Sequence, residues 1–175
     1  HETADEVAVL LDLHAPTAPQ DATRPTASLQ VVLDRSGSMR GAPLEGAKQA
    51  LVALVRRLEP TDNFGLVTFD DTAQVVVPAG PLTDKDTVVR LIEGVHAGGT
   101  TDLGAGYLRG LREIRRVTTT GGTVLIVSDG HVNTGIQSVE EFTSITAKAY
   151  TDGLVTSTLG YGRGYDETLL AAIAR

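Results

Sequence analysis

Two short apolar runs, each ending in an acid, constrain this chain most. "LQVVLD" at 29–34 and "TVLIVSDG" at 123–130 are too continuous for strands with one wet face. Runs of this kind belong to strands buried on both faces, as in a parallel sheet covered by helices. The intervening segments alternate to match. "PLEGAKQALVALVRRL" (43–58) sets Leu44, Ala47, Leu51, Leu54 and Leu58 at helical spacing, with Pro43 suited to the first helical position. "FGLVTF" (64–69) and "AQVVVP" (73–78) are joined only by Asp70-Asp71-Thr72, which predicts an antiparallel hairpin.

Thr83 and Asp86 resemble a capping box before a short helix carrying Val88, Val89 and Ile92. The glycine-rich loop "GGTTDLGAG" (98–106) leads into a helix with Leu103, Tyr107, Leu111 and Ile114 inward. Ser138 and Glu141 form a capping box for a helix with Val139, Phe142, Ile145 and Ala149 inward. "LVTSTLG" (154–160) reads as a strand, and Asp166 caps a last helix bearing Leu169, Leu170 and Ile173. This order predicts an α/β fold: a doubly wound, mostly parallel sheet with one antiparallel edge strand and helices on both faces.

The 175 residues, 41% of them hydrophobic, suffice for one full core. We place that domain at 28–175. Residues 1–27 hold a strand-like stretch, "EVAVLLDLH" (6–14), and the Pro-rich connection "APTAPQDATRPTA" (15–27), expected to be the edge of an upstream domain. With no cysteine, disulfides, thiolate metal sites and cysteine nucleophiles are excluded. A formal net charge of -7 argues against nucleic acid as a partner. Aromatic content of 4% without tryptophan disfavours a base-stacking platform. No apolar run approaches the ~20 residues of a membrane span. The lack of an export signal or cysteine pair leans toward a cytoplasmic setting and leaves an exported or surface-attached one open.

The chemistry concentrates at the strand ends. Asp34 closes one buried run and Asp129 the other, while Thr100 and Thr101 lie in the glycine-rich loop. If the two strands are neighbours, these groups meet at one rim, where open α/β sheets bind ligands. In a turn, Asp34, Ser36 and Ser38 can face one way while Arg35 and Gly37 face another, and Gly37 is expected to let the backbone curl tightly. Two carboxylates and several hydroxyls are hard oxygen donors, suited to Mg²⁺, Mn²⁺ or Ca²⁺. The plainer alternative for each motif is a capped turn or strand end.

Asp34-Arg35-Ser36-Gly37-Ser38 resembles the Asp-x-Ser-x-Ser motif of von Willebrand factor type A domains. Gly98-Gly99-Thr100 resembles their threonine loop, and Ser128-Asp129-Gly130 their second acid. "FDDTAQVV" and "GYGRGYDETLLAAIA" are also similar. Three motifs in the right order are far more specific than any one of them. The resemblance covers about 28–175 and implies a Rossmann-like fold with a metal-ion-dependent adhesion site. It implies Asp34, Ser36, Ser38, Thr100 and Asp129 as ligands to Mg²⁺ (or Mn²⁺ or Ca²⁺), directly or through water, with Thr101 the alternative to Thr100. It implies a protein partner that supplies an Asp or Glu carboxylate, and no catalysis. It also implies a further strand and helix beyond Arg175.

The alternatives are a metal-dependent phosphoester hydrolase using the same pocket and a scaffold whose metal is structural. Ser36 lacks the Gly-x-Ser-x-Gly setting of a nucleophile, and His131 has no motif that makes it a base. Gly160, Gly162 and Gly164 have the wrong spacing for a dinucleotide fingerprint. Arg109, Arg112, Arg115 and Arg116 read as a solvated basic helix face or a contact to an acidic neighbour, and Asp70 and Asp71 as turn formers, with a second cation site there the unsupported alternative.

Overall fold

In the computed structural model, which describes residues 24–119, 121–161 and 165–174, the two apolar runs are adjacent strands. β1 (Ser28–Asp34) lies parallel to β2 (Asn63–Phe69) on one side and to β4 (Gly122–Ser128) on the other. β3 (Ala73–Pro81) pairs antiparallel with β2, and β5 (Leu154–Gly160) pairs parallel with β4. The five-stranded order is β3-β2-β1-β4-β5. Successive strands move outward from β1 in one direction, and the next pair moves in the other, so the winding reverses between β1 and β4. That reversal opens a crevice at the strands' carboxyl ends. The strand expected at 6–14 lies outside the described residues.

Alternation along the strands divides the core in two. Val31 and Leu33 of β1 point toward α1 (Ala42–Arg57) and α2 (Lys85–Glu93), joining Leu44, Leu51, Val89 and Ile92. Val32 points to the other face, where α3 (Leu103–Ile114), α4 (Val139–Thr151) and α5 (Glu167–Ile173) contribute Leu103, Tyr107, Phe142 and Leu169. Helices therefore cover both faces, as the apolar runs require. α3 comes unusually close to the sheet. A Cβ on Gly106 would lie 2.6 Å from the Phe69 ring, and one on Gly110 2.4 Å from Val32 Cγ2. Two bare turns of the helix let its axis approach β1 and β2 and so fix the loop that precedes it.

Several local expectations shift. α1 buries Val55, while Leu54 is only partly buried. α2 is capped by Asp84, which accepts from the Thr87 amide at 2.9 Å, and not by Thr83. The glycine-rich loop ends earlier than 106, because Asp102 accepts from the Ala105 amide and starts α3 at Leu103. β3 runs three residues further than expected, to Pro81. Asp166 caps α5 as read, accepting from the Leu169 amide; Ser138 accepts from the Glu141 amide, but its hydroxyl donates to the Glu140 carboxylate at 2.7 Å, so the expected box with Glu141 forms only by half.

A candidate metal-binding rim

The rim is built from three loops held against one another. Arg35 leaves β1 with its amide donating to Phe69 O at 2.8 Å, and Gly98 N–H donates to Arg35 O. Gly37 N–H then donates to Gly99 O at 2.9 Å. The loop carrying Ser36 and Ser38 is thus stitched to the glycine-rich loop along its length. Gly37 does not adopt a left-handed conformation, and a Cβ there would meet Gly99 O at an ordinary 3.5 Å. The backbone does curl here, in a 3-10 turn over Gly37–Met39, but without needing glycine's conformational freedom; that is needed at Gly130, where φ is +74° and the chain turns against Asp166.

Asp34 is fully buried at the end of β1. Its Oδ1 accepts from the Ser36 amide at 2.8 Å, and its Oδ2 accepts from the Ser128 hydroxyl at 2.6 Å. Ser128 Oγ in turn accepts from the Gly130 amide at 2.9 Å. Burial drives the Asp34 carboxyl above its ordinary range; the Ser128 and Ser36 donors work against that rise, and nearby Asp129 adds to it. A cation beside these carboxylates would reverse the balance.

The hydroxyls of Ser36 and Ser38 lie 3.0 Å apart, one buried and the other exposed. Asp129 follows β4 directly, is largely buried, and accepts from the His131 amide at 3.1 Å. Asp129 O receives the Asp166 amide at 2.8 Å, which ties the rim to the start of α5. Thr100 is exposed at the end of the glycine-rich loop, whereas Thr101 is buried. Thr101 N–H donates to Asn133 Oδ1 at 2.8 Å, and Thr101 O receives the amides of Asn133 and Thr134. Thr101 therefore anchors the loop and Thr100 is left at the surface.

The structure brings Asp34, Ser36 and Ser38 into one hydrogen-bonded chain and sets Asp129 on the neighbouring strand end. Sequence reasoning missed three supports: Ser128, Asn133 and the Arg35–Asp70 pair. Asp70 is not merely a turn former. It is 3% exposed, and its Oδ2 stands 2.8 Å from Arg35 Nη2. Burial works against its charge, but the Thr72 amide, Asp71 and Arg35 outweigh that and hold its carboxyl below the ordinary value. The basic face of α3 is only partly a solvated one: Arg109 and Arg116 clamp buried Glu113, and Arg115 pairs with Asp152.

The donor set fits a hard cation. It offers two carboxylates with lone pairs to spare and several hydroxyls, with no thiol or imidazole among them. Among the described residues no group of three or more His, Asp or Glu side chains is placed to hold an ion, so hydroxyls or waters must complete any shell here.

Comparison with known proteins agrees with this architecture. The chain matches the von Willebrand factor type A domain over residues 29–175, and it belongs to that family. Similar proteins include uncharacterized protein sll0103 of Synechocystis, 30% identical over 148 residues, or 84% of this chain and 35% of that protein. Another is heavy chain H1 of human inter-alpha-trypsin inhibitor, 24% identical over 168 residues, or 90% of this chain and 18% of that one. The chain thus spans about a third or less of these curated relatives.

Among solved structures, manganese-loaded TRAP protein of Plasmodium vivax is similar with a TM-score of 0.69 at 20% identity, covering 85% of this chain and 62% of that one. Proximal thread matrix protein 1 from the mussel byssus, with a zinc-occupied MIDAS motif, is similar with a TM-score of 0.67 at 23% identity, covering 85% of this chain and 41% of that one. At these identities the likeness establishes the fold.

Proposed function

We propose that this domain is a divalent-metal-dependent protein-binding module in which Asp34, Ser36, Ser38, Thr100 and Asp129 hold Mg²⁺, with Mn²⁺ or Ca²⁺ as substitutes. The observation that carries the reading is the chain of contacts from Ser38 through Ser36 and Asp34 to Ser128, at the crevice where the winding of the sheet reverses. Similar domains in manganese-loaded and zinc-occupied structures support a divalent ion at such a rim. The domain binds and is not an enzyme.

When bound, the ion supplies a Lewis-acidic position for an anionic oxygen. The protein's own residues do the rest. Asp34 and Asp129 bring two negative charges, which leave a divalent ion close to neutral and still short of ligands. The hydroxyls add coordination without charge, so the ion keeps its appetite for one more anionic ligand, which a partner's Asp or Glu satisfies. Ser128 and the Ser36 amide hold Asp34 in place and favour its ionised form against the burial that disfavours it. The stitches through Gly98 and Gly99 hold the loop that carries Thr100 against the loop that carries the serines.

The test is binding of an acidic peptide, with its Gln counterpart as control, in Mg²⁺ and in chelator. Binding that needs both the ion and the carboxylate supports the reading. Equal binding of the Gln peptide, or binding unaffected by chelator, refutes it.

A further inference from the structure

A cavity of about 280 Å³ opens beside the rim, lined by Arg35, Gln74, Arg90, Val95 and His96 among others. Two guanidinium groups and an imidazole face one small space on a chain whose net charge is -7. Arg35 sits between Asp34 and Ser36 in sequence, yet its side chain leaves the rim and enters this wall. One arm of its fork is used by Asp70 at 2.8 Å. Its Nε is buried and has no hydrogen-bond partner among the described residues. Buried N–H groups in folded proteins are nearly always paired, so this one marks a donor beside the cavity that the described residues leave unsatisfied. Arg90 projects from the last turn of α2, with Nη2 on the Thr87 hydroxyl at 2.6 Å. Asp70 and Asp84 offset part of the positive charge, and Val76, Leu91 and Val95 add an apolar wall beside the basic groups.

The geometry points to a second anchor for the same partner: the Arg35–Arg90–His96 cavity takes a further carboxylate of the acidic segment whose first carboxylate caps the ion. This inference rests on the proposed metal-dependent docking. The cavity and the rim share a wall, because the loop passes from Gly94, Val95 and His96 in the cavity to Gly98, Gly99 and Thr100 at the rim. His96 and Thr100 are four residues apart, so at most ~14 Å of backbone separates them. A partner segment with two acids about three residues apart bridges that span. The recognition chemistry is a carboxylate against a planar arginine fork, which favours paired hydrogen bonds over a lone point charge. A local positive cavity also gives an acidic partner a landing place that the chain's overall charge denies it.

The experiment uses the Mg²⁺-loaded chain and two peptides, Gly-Glu-Gly-Gly-Gly-Gly and Gly-Glu-Gly-Gly-Glu-Gly, with calorimetry for affinity and NMR of the Arg35 Nε–H. The two-acid peptide is expected to bind about tenfold tighter, the scale of one charge-assisted contact. Arg90→Gln should erase that advantage and leave the one-acid peptide unchanged. The Arg35 Nε–H resonance should move only with the two-acid peptide. Equal affinities, or an advantage that survives Arg90→Gln, overturns the inference. If the one-acid peptide shows no Mg²⁺ dependence, the metal reading fails on its own. The cavity is then judged in chelator: a shift of the Arg35 resonance by the two-acid peptide, lost in Arg90→Gln, supports it, and no shift overturns it.

Discussion

Replacing Ser128 by alanine removes a single hydroxyl and strands two groups. Asp34 Oδ2 loses a donor at 2.6 Å, and the Gly130 amide loses an acceptor at 2.9 Å. Asp34 and Ser128 are fully buried, so water does not readily replace either bond. The bond to the carboxylate is worth about 1.5–3 kcal/mol and the amide bond about 1 kcal/mol, so Ser128→Ala should cost about 3 kcal/mol at neutral pH without metal. For a domain of this size that corresponds to a fall in melting temperature of roughly 6–12 °C.

The pH dependence identifies the cause. Asp34 has a folded pKa above its unfolded value, so its contribution is fully present below the unfolded pKa and is lost as pH rises through the folded one. Removing the Ser128 donor raises that pKa further. The variant's deficit should therefore shrink in acid, where Asp34 is protonated in both proteins, and widen as pH climbs. Urea titrations followed by circular dichroism across the acid-to-neutral range measure it. In an Asp34→Asn background the deficit should fall by about the charge-assisted part of the bond. A deficit under about 0.5 kcal/mol, or one independent of pH and of Asp34, refutes the claim that Ser128 stabilises the ionised carboxylate.

Away from the rim, Asp62 is fully buried and accepts from the amides of Ala27 and Glu59 and from Arg24. Burial works to raise its pKa, but these donors prevail and lower it, so its stabilisation is present above the unfolded pKa and is lost as pH falls through the folded one. Asp62→Ala should cost about 3 kcal/mol at pH 7 and progressively less as pH falls below the ordinary carboxylate range, read from urea midpoints along an acid series. Gly106→Ala puts a methyl 2.6 Å from the Phe69 ring in a buried strand, and a melt should show about 1–3 kcal/mol lost despite alanine's better helix propensity.

The parts of the account that were legible in the sequence are those set by local periodicity. Val31, Val32 and Leu33 are all buried because β1 has helices on both faces, and an unbroken apolar run announces that condition. Leu103, Tyr107, Leu111 and Ile114 lie inward on α3 as their spacing demands. Where two local solutions compete, the pattern misleads: Asp84 displaced Thr83 as a cap, and Val55 displaced Leu54 as a core residue, each within one position of the expectation. The rim's two acids were readable because they stand at strand ends. Its supports were not. Ser128 reaches Asp34 across 94 residues, and Asn133 reaches Thr101 across 32, and no local pattern marks a partner at that range. Arg35 shows the same limit in charge: in the motif it is a spacer, and only folding brings Asp70 and the cavity to it.

The most direct test of the central claim is calorimetric titration of the chelator-stripped chain with Mg²⁺ and Mn²⁺, beside Ser38→Ala. Ser38 is exposed and bonds only to the Ser36 hydroxyl among the contacts described, so its loss should leave the fold intact. The account predicts one saturable site, lost or at least tenfold weaker in Ser38→Ala at unchanged melting temperature. No saturable heat with either ion, or equal affinity in the variant, contradicts a metal centre at this rim.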